Sequence, residues 1–437
     1  MDDFIKDFKS RLKKKEIKIA VVGLGYVGLP LALEFVKKGF FVLGLEIDKD
    51  RLKRLKKGES YITDVKDEEL NNFIIKRNFS ASDNFKRLKE IDVVIICVPT
   101  PLKRKYHPDI SYIKKAVKKI AKNLKKPSLV ILESTTYPGT TEEIILRLLE
   151  QYHLKNNRDF YLCFSPERID PGNKNYPLNK IPKVVGGLTK EAGQLASLVY
   201  KEIIDKIVLV SSAKVAEMVK LLENTFRLVN IALIDELTMM AHQMKINIWE
   251  VISAAKTKPF GFMSFYPGPG VGGHCIPKDP LYLYWRARKH HGFKSRFIKL
   301  ASDLINQMPQ YIVKRLEELL EKHNKKLKKA KILILGVTYK KDIKDLRKSP
   351  ALDIIDILQK RKVFVSYYDP LIPYLKLDRI NLKSIPLIAQ NLKKFDCVVI
   401  ATDHSKLNYD FILKYARLIF DTRNVYKNLT HPKIIKL

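Results

Sequence analysis

The sequence predicts an α/β protein in which two parallel-sheet domains are joined by one long central helix. Three observations carry this expectation. Short apolar runs alternate with amphipathic stretches over residues 16–164, and again over residues 331–420. A glycine-rich turn follows the first apolar run directly. Between the two alternating regions, residues 212–245 keep a helical period over roughly eight or nine turns.

Composition sets the outer limits. A chain of 437 residues with 46% hydrophobic content can bury two or three real cores. No apolar run approaches the ~18–20 residues of a membrane span. The first 15 residues are charged throughout and lack the apolar core of a signal peptide. The four cysteines are scattered, with no CxxC pair, so neither a disulfide scaffold nor a zinc site is expected. A reducing, cytoplasmic location follows as the expectation. The formal charge of +35 is spread over the whole chain rather than gathered in one arm. Lysine-rich helices such as residues 113–120 read as solvated faces, and no nucleic-acid signature accompanies them. Neither nucleic acid nor membrane is expected as a partner, and no metal.

Residues 16–22 form a buried-strand pattern. Gly23-Leu-Gly-Tyr-Val-Gly28 follows at once, then a helical run, then a second strand over residues 40–45 that ends at Glu46. This strand, GxGxxG, helix, strand and acid order is that of a Rossmann-type dinucleotide site. Gly23 permits the tight turn, Gly25 lets the backbone approach a pyrophosphate, and Gly28 allows close helix–strand packing. Tyr26 and Val27 complete the turn beside the cofactor. Glu46 is placed to take the ribose hydroxyls, which favours NAD over NADP. Lys49 and Arg51 leave room for a 2′-phosphate. Further strands end at Thr100, at residues 133–140 with Thr135, and at residues 165–168 with Glu167. Ligands of open parallel sheets sit outside such carboxyl ends.

The long helix carries two stripes. Apolar positions 215, 219, 222, 226, 229, 233 and 237 form one face. Glu217, Lys220, Asn224 and Arg227 form another, at spacings of three and four. A helix this long joins domains or packs on its copy. Lys220 and Asn224, one turn apart, are either a solvated pair or an anion-stabilising one. Downstream, Cys275 stands in a Gly- and Pro-rich loop, residues 266–280, just before a helix start. Glycines 268, 270, 272 and 273 allow backbone N–H groups to converge on its sulfur, and a helix N-terminus lowers a thiol pKa. The residue is either a nucleophile or a buried loop cysteine. Cys97, Cys163 and Cys397 read as small core residues.

Taken together, residues 23–30, 133–140, 165–173, 217–224, 272–279 and 336–342 resemble the UDP-glucose/GDP-mannose dehydrogenase family, the nucleotide-sugar 6-dehydrogenases. The resemblance runs from Ile17 to about Asn424. The forms of residues 165–173 and 266–275 are most similar to the UDP-N-acetylglucosamine 6-dehydrogenases, since the UDP-glucose branch has Phe-Leu where this chain has Arg168-Ile169. The resemblance implies oxidation of a sugar C6 alcohol to a carboxylate with two NAD⁺ and one water. It implies Cys275 as the nucleophile that turns the intermediate aldehyde into a thiohemiacetal and then a thioester. Lys220 and Asn224 would stabilise the C6 oxyanions. Glu167 and Thr135 would handle the hydrolytic water, with Glu167 as general base. Asp279 would orient that water or Lys220.

Residues 331–336 open a third domain, with strands expected at 363–368, 397–401 and 418–420. Only Gly336 stands where a GxGxxG would be, so a second NAD site is not expected. The resemblance assigns this domain to the UDP moiety, with Lys340 contacting the diphosphate and Arg347 reaching toward NAD. Lys258, Tyr266 and Gly272 are implied as substrate-binding. The expected division is an NAD-binding domain over 1–211, a helical dimerisation domain with the cysteine loop over 212–315, and a UDP-sugar domain over 316–437. The expected assembly is a homodimer through the long helix. UDP-glucose and UDP-N-acetylmannosamine are the alternative substrates. A two-electron hydroxyacid dehydrogenase would leave the thiol and the third domain without use, and every catalytic position is filled as in an active enzyme.

Overall fold

A computed structural model describes residues 2–62, 65–103, 106–169 and 176–437. Residues 170–173, the end of one motif quoted above, lie outside the described residues. The chain divides into two compact units, Met1–Glu223 with Tyr282–Phe293, and Asn224–Leu281 with Lys294–Leu437.

In the first unit eight strands form one sheet: β1 (Ile19–Val22), β2 (Val42–Leu45), β3 (Phe79–Ser82), β4 (Val93–Ile96), β5 (Ser128–Leu132), β6 (Phe160–Phe164), β7 (Lys183–Gly187) and β8 (Ile207–Val210). Their order is β3-β2-β1-β4-β5-β6-β7-β8. The first six are parallel and follow the 3-2-1-4-5-6 order of dinucleotide-binding sheets. The sheet then departs from an all-parallel expectation, because β7 runs antiparallel to β6 and β8 follows β7. Strands β1, β4 and β5 are buried along their whole length, so they read as continuous apolar runs. The two-residue period still sorts their side chains. Val21, Ile95 and Ile131 join one core, while Val22, Ile96 and Leu132 join the other.

The charged N-terminus, for which no element was expected, is the helix Asp2–Lys13. Its Phe8 and Leu12 enter the core, and Phe4 stacks on Tyr161 with ring centroids 5.3 Å apart. Arg11 forks onto Asp92 at 3.0 and 2.8 Å, and Lys15 pairs with Glu202. The charge pattern masked an amphipathic face.

The helix Ala213–Gln243 confirms the long central element. Its buried face carries most of the polar stripe. Ala213, Ala216, Glu217, Lys220, Leu221, Asn224, Leu228, Ala232, Asp235, Thr238 and Ala241 are buried. Val215, Leu222, Phe226 and Leu233 are 41–59% exposed. Small residues and the polar stripe other than Arg227 therefore face the protein, while Val215, Leu222, Phe226 and Leu233 of the apolar stripe face outward and Val219, Val229 and Leu237 are half-buried.

In the second unit, β9 (Lys331–Leu335), β10 (Phe364–Tyr368), a hairpin of β11 (Tyr374–Leu377) and β12 (Ile380–Lys383), β13 (Cys397–Ile400), β14 (Ile419–Asp421) and β15 (Ile434–Lys436) follow the helices. Five of them make a parallel sheet in the order β10-β9-β13-β14-β15. This is the second α/β domain that the sequence predicts, with an unpredicted hairpin and closing strand. Among the described residues, no helix is long and apolar enough to cross a membrane.

Candidate active site

The turn after β1 is built by close approach. A Cβ on Gly28 would lie 1.9 Å from the Gly23 carbonyl oxygen, and one on Gly23 would lie 2.7 Å from that of Cys97. Gly23 also has φ +93°, which side-chain-bearing residues rarely adopt. Around Gly25 the added atom would meet nothing within 4 Å, so this side of the turn is open to a ligand. Glu46, buried at the end of β2, accepts from the backbone N–H groups of Leu24 (3.1 Å), Ile47 (2.8 Å) and Asp48 (3.0 Å). Asp48 is occupied in capping the helix Lys49–Lys56. Arg51, a candidate for a 2′-phosphate, lies 3.7 Å from Glu46 and 3.8 Å from Asp48 instead. An open glycine turn beside an anchored carboxylate fits NAD.

The ends of β5 and β6 carry a buried cluster of charged side chains. Glu167 is buried and accepts from Ile169 N–H at 2.5 Å. Lys220 reaches it from the long helix, donating to the Glu167 backbone carbonyl rather than to the carboxylate. Thr135 is half-buried on the same β5 end, and Thr100 is buried after β4, where its carbonyl accepts from Tyr282. Lys183, which the sequence reading passed over, opens β7 and sits 3.0 Å from Glu133 and 3.7 Å from Glu167. Burial raises Glu133 to about 7, assisted by Glu167 and opposed by Lys183. Burial works against the charge of Lys183, yet the two carboxylates outweigh it and hold its pKa above the usual lysine value. Cys97, behind this cluster, is pushed well up by burial.

Glu217 belongs to the polar stripe but serves another purpose. It accepts from Gly139 N–H (2.5 Å), Thr141 N–H (2.9 Å) and the Thr141 hydroxyl (2.7 Å). It therefore clamps the loop that follows Thr135. Arg227 is exposed.

In the second unit Cys275 is exposed, whereas Cys163 and Cys397 are buried and Cys97 is partly so. Its carbonyl accepts from Lys278 N–H (3.1 Å) and Asp279 N–H (2.8 Å), which begins the helix Asp279–His291. Asn224 donates to the buried Asp279 carboxylate at 2.7 Å. Lys278 faces the His274 ring; burial lowers Lys278 to about 8 and, with that ammonium beside it, His274 to about 4. The expected convergence of glycine N–H groups on the sulfur is corrected in part. Gly268 N–H goes to Asp235 (3.2 Å) and Gly273 N–H to the Arg347 carbonyl (2.8 Å). Gly272 has a packing reason, since a Cβ there would lie 2.5 Å from that of Tyr339 and 2.6 Å from the Lys348 carbonyl oxygen. These contacts seat the cysteine loop on the segment that contains Lys340 and Arg347.

That segment is braced from below. His404 accepts from Asp342 N–H through Nδ1 at 3.0 Å, so its Nε2 donates to Asp369 at 3.1 Å. Lys340 is half-buried, and Arg347 is forked onto Asp345 at 2.9 and 2.6 Å. Lys258 is exposed with its ammonium 5.1 Å from the Phe260 ring, and Tyr266 is half exposed and stacked on Trp249. Among the described residues, no group of three or more His, Cys, Asp or Glu side chains is arranged to hold a metal.

Comparison with known proteins decides the family. The NAD-binding domain of the UDP-glucose/GDP-mannose dehydrogenase family matches residues 17–204, its central domain 214–307 and its UDP-binding domain 333–428. The chain belongs to the UDP-glucose/GDP-mannose dehydrogenase family. It is 38% identical to UDP-N-acetyl-D-mannosamine dehydrogenase of Pyrococcus horikoshii, over 94% of this chain and 96% of that one. It is 40% identical to UDP-N-acetyl-D-glucosamine 6-dehydrogenase of Pseudomonas aeruginosa, over 82% and 83%. A solved UDP-D-ManNAc dehydrogenase from Pyrococcus horikoshii aligns with TM-score 0.86 and 36% identity, covering 96% of this chain and 99% of the other. As a family member the protein is an NAD-dependent nucleotide-sugar dehydrogenase with a UDP-binding domain. Among relatives both acetamido-sugar names recur.

Proposed function

We propose that this protein oxidises the C6 hydroxyl of UDP-N-acetylglucosamine to the carboxylate, in two hydride transfers through a Cys275 thioester. The observation that carries the reading is the contrast among the cysteines. Cys275 is exposed at a helix start beside buried Lys278, while Cys163 and Cys397 lie buried in strands and Cys97 directly follows one. NAD⁺, when bound at the turn of Gly23, Gly25, Tyr26, Val27 and Gly28 with Glu46 on its ribose, supplies the hydride acceptor for each oxidation. Thr100, Thr135 and Arg347 complete its binding set.

The protein's own groups do the rest. Cys275 attacks the aldehyde carbon, forming a C–S bond while the carbonyl electrons move to oxygen. Lys220 and Asn224, one turn apart on the helix Ala213–Gln243, stabilise that oxyanion. After the second oxidation Glu167 takes a proton from water, helped by Thr135, and the resulting hydroxide adds to the thioester. Collapse releases the carboxylate and the Cys275 thiolate. Asp279, held by Asn224, orients the water or Lys220. Lys258, Tyr266, Gly272 and Lys340 hold the sugar and diphosphate. Three domains divide these tasks: 1–211 for NAD, 212–315 for the cysteine loop and dimerisation, and 316–437 for UDP. The outward apolar residues Val215, Leu222, Phe226 and Leu233 support a homodimer through the long helix.

A second reading is the C2 epimer, UDP-N-acetylmannosamine, favoured by the relative that matches 94% of this chain. The test is NADH released per sugar consumed, with both acetamido sugars and UDP-glucose, for wild type and Cys275→Ala. Two NADH per UDP-N-acetylglucosamine, lost in the variant, is expected. Two NADH with another sugar alone would replace the substrate. One NADH, unaffected by the substitution, would end the thioester reading.

A further inference from the structure

Lys183 is a buried lysine that the reaction sequence above leaves unused. Its side chain is 6% exposed. Its ammonium lies 3.0 Å from Glu133 Oε1 and 3.7 Å from Glu167 Oε2, with the Tyr200 ring 5.0 Å away. A buried ammonium is tolerated only beside an ionised partner, and here two carboxylates share one cation. Glu133 Oε1 also accepts from the Tyr200 hydroxyl. Glu133 Oε2 and Glu167 Oε2 are buried with no hydrogen-bond partner. One oxygen of Glu167 is thus tied to Ile169 N–H, while the other is left with an ion-pair partner and spare acceptor capacity. That is the arrangement a base needs if a water is to approach it.

The remaining charged or titratable groups around Glu167 point elsewhere or are neutral. Lys220 donates to the Glu167 carbonyl, Arg168 pairs with Glu223 at 2.6 Å, and Cys97 and Tyr200 are held protonated by burial. We propose that Lys183 is a positioning residue whose ammonium, shared between Glu133 and Glu167, supplies the counter-charge that holds the Glu167 carboxylate aimed for hydrolysis. Glu133 sets how much of that charge Glu167 receives. The proposal rests on the reading of Glu167 as hydrolytic base.

The experiment follows decay of the acyl-enzyme by rapid-quench intact-mass measurement across pH, alongside steady-state kcat and KM. Lys183→Met should move the acid limb of the hydrolysis rate to higher pH by about one unit, because the ionised carboxylate loses its counter-charge. KM for the sugar should stay within about twofold, and Lys183→Arg should return most of the displacement. Glu133→Gln should move the limb the other way, since Lys183 then serves Glu167 alone. Should Lys183→Met fail to fold, Glu133→Gln carries the test alone, and an unmoved limb there overturns the proposal. An unmoved limb in Lys183→Met and Glu133→Gln, or displacement of both in one direction, overturns the proposal. Glu167→Gln separates the two ideas. If it blocks hydrolysis while the limb is unmoved in the other variants, Lys183 alone is misassigned. If it hydrolyses at the wild-type rate, the base assignment fails and Lys183 falls with it.

Discussion

Replacing Glu217 with alanine should lower the stability of the first unit more than any surface change nearby. Three donors, Gly139 N–H, Thr141 N–H and the Thr141 hydroxyl, converge on this carboxylate in a buried setting. Leaving buried donors unsatisfied costs about 1–3 kcal/mol each, and with some recovery by water the total comes to about 3–5 kcal/mol. For a unit of this size that corresponds to a fall in melting temperature of roughly 10 °C. Glu217→Gln should lie between, because Gln offers one acceptor oxygen where Glu217 uses both of its own. The assay is Trp285 fluorescence in a Trp249→Phe background, since Trp285 packs on Tyr137 in the clamped loop. The pH trend adds a second check. Burial outweighs the donated hydrogen bonds and lifts Glu217 from 4.5 to about 7. The folded chain therefore binds that proton more tightly than the unfolded one. Its contribution is full below about pH 4.5 and is lost as pH rises through about 7. The advantage of wild type over Glu217→Gln should shrink over that window. An alanine variant melting within about 2 °C of wild type would refute the clamp.

Two further outcomes are expected. Glu46→Ala should raise KM for NAD about tenfold or more with little change in kcat, from the loss of charge-assisted bonds of about 1.5–3 kcal/mol; an unchanged KM would remove Glu46 from the ribose. Leu222→Asp with Leu233→Asp should halve the mass seen by light scattering, and a wild-type chain already monomeric in that measurement would sink the dimer.

Much of the fold could be read from the chain because parallel strands buried on both faces leave unbroken apolar runs, as β1, β4 and β5 do. The cofactor turn was legible for a steric reason, since Gly23 and Gly28 stand where a side chain would collide with backbone. Other features had no local mark. The two stripes of the long helix did not say which of them is buried; Ala213, Ala216 and Ala232 allow close packing on one side and leave Leu222 and Leu233 outward. Lys183 opens a strand, where a lysine ordinarily snorkels to water. Only the tertiary arrangement brings Glu133 and Glu167 to it. Glu133 lies at the same strand end as Thr135, so the rule that drew attention to Thr135 applied to it equally. Asp235 and His404 brace loops from distant segments, and nothing in their own neighbourhoods announces it.

The helix Asp2–Lys13 has a consequence for how the chain is assembled as it emerges during synthesis. It is made well before its anchors: Asp92 follows Arg11 by 81 residues, and Glu202 follows Lys15 by 187. At ~5–20 residues per second, the apolar side of this helix waits at least several seconds before its seat exists. Its dense lysines and acids keep such a segment hydrated in the interval. The charge that hid the helix from a reading of the sequence would then protect the newborn chain until the sheet is complete.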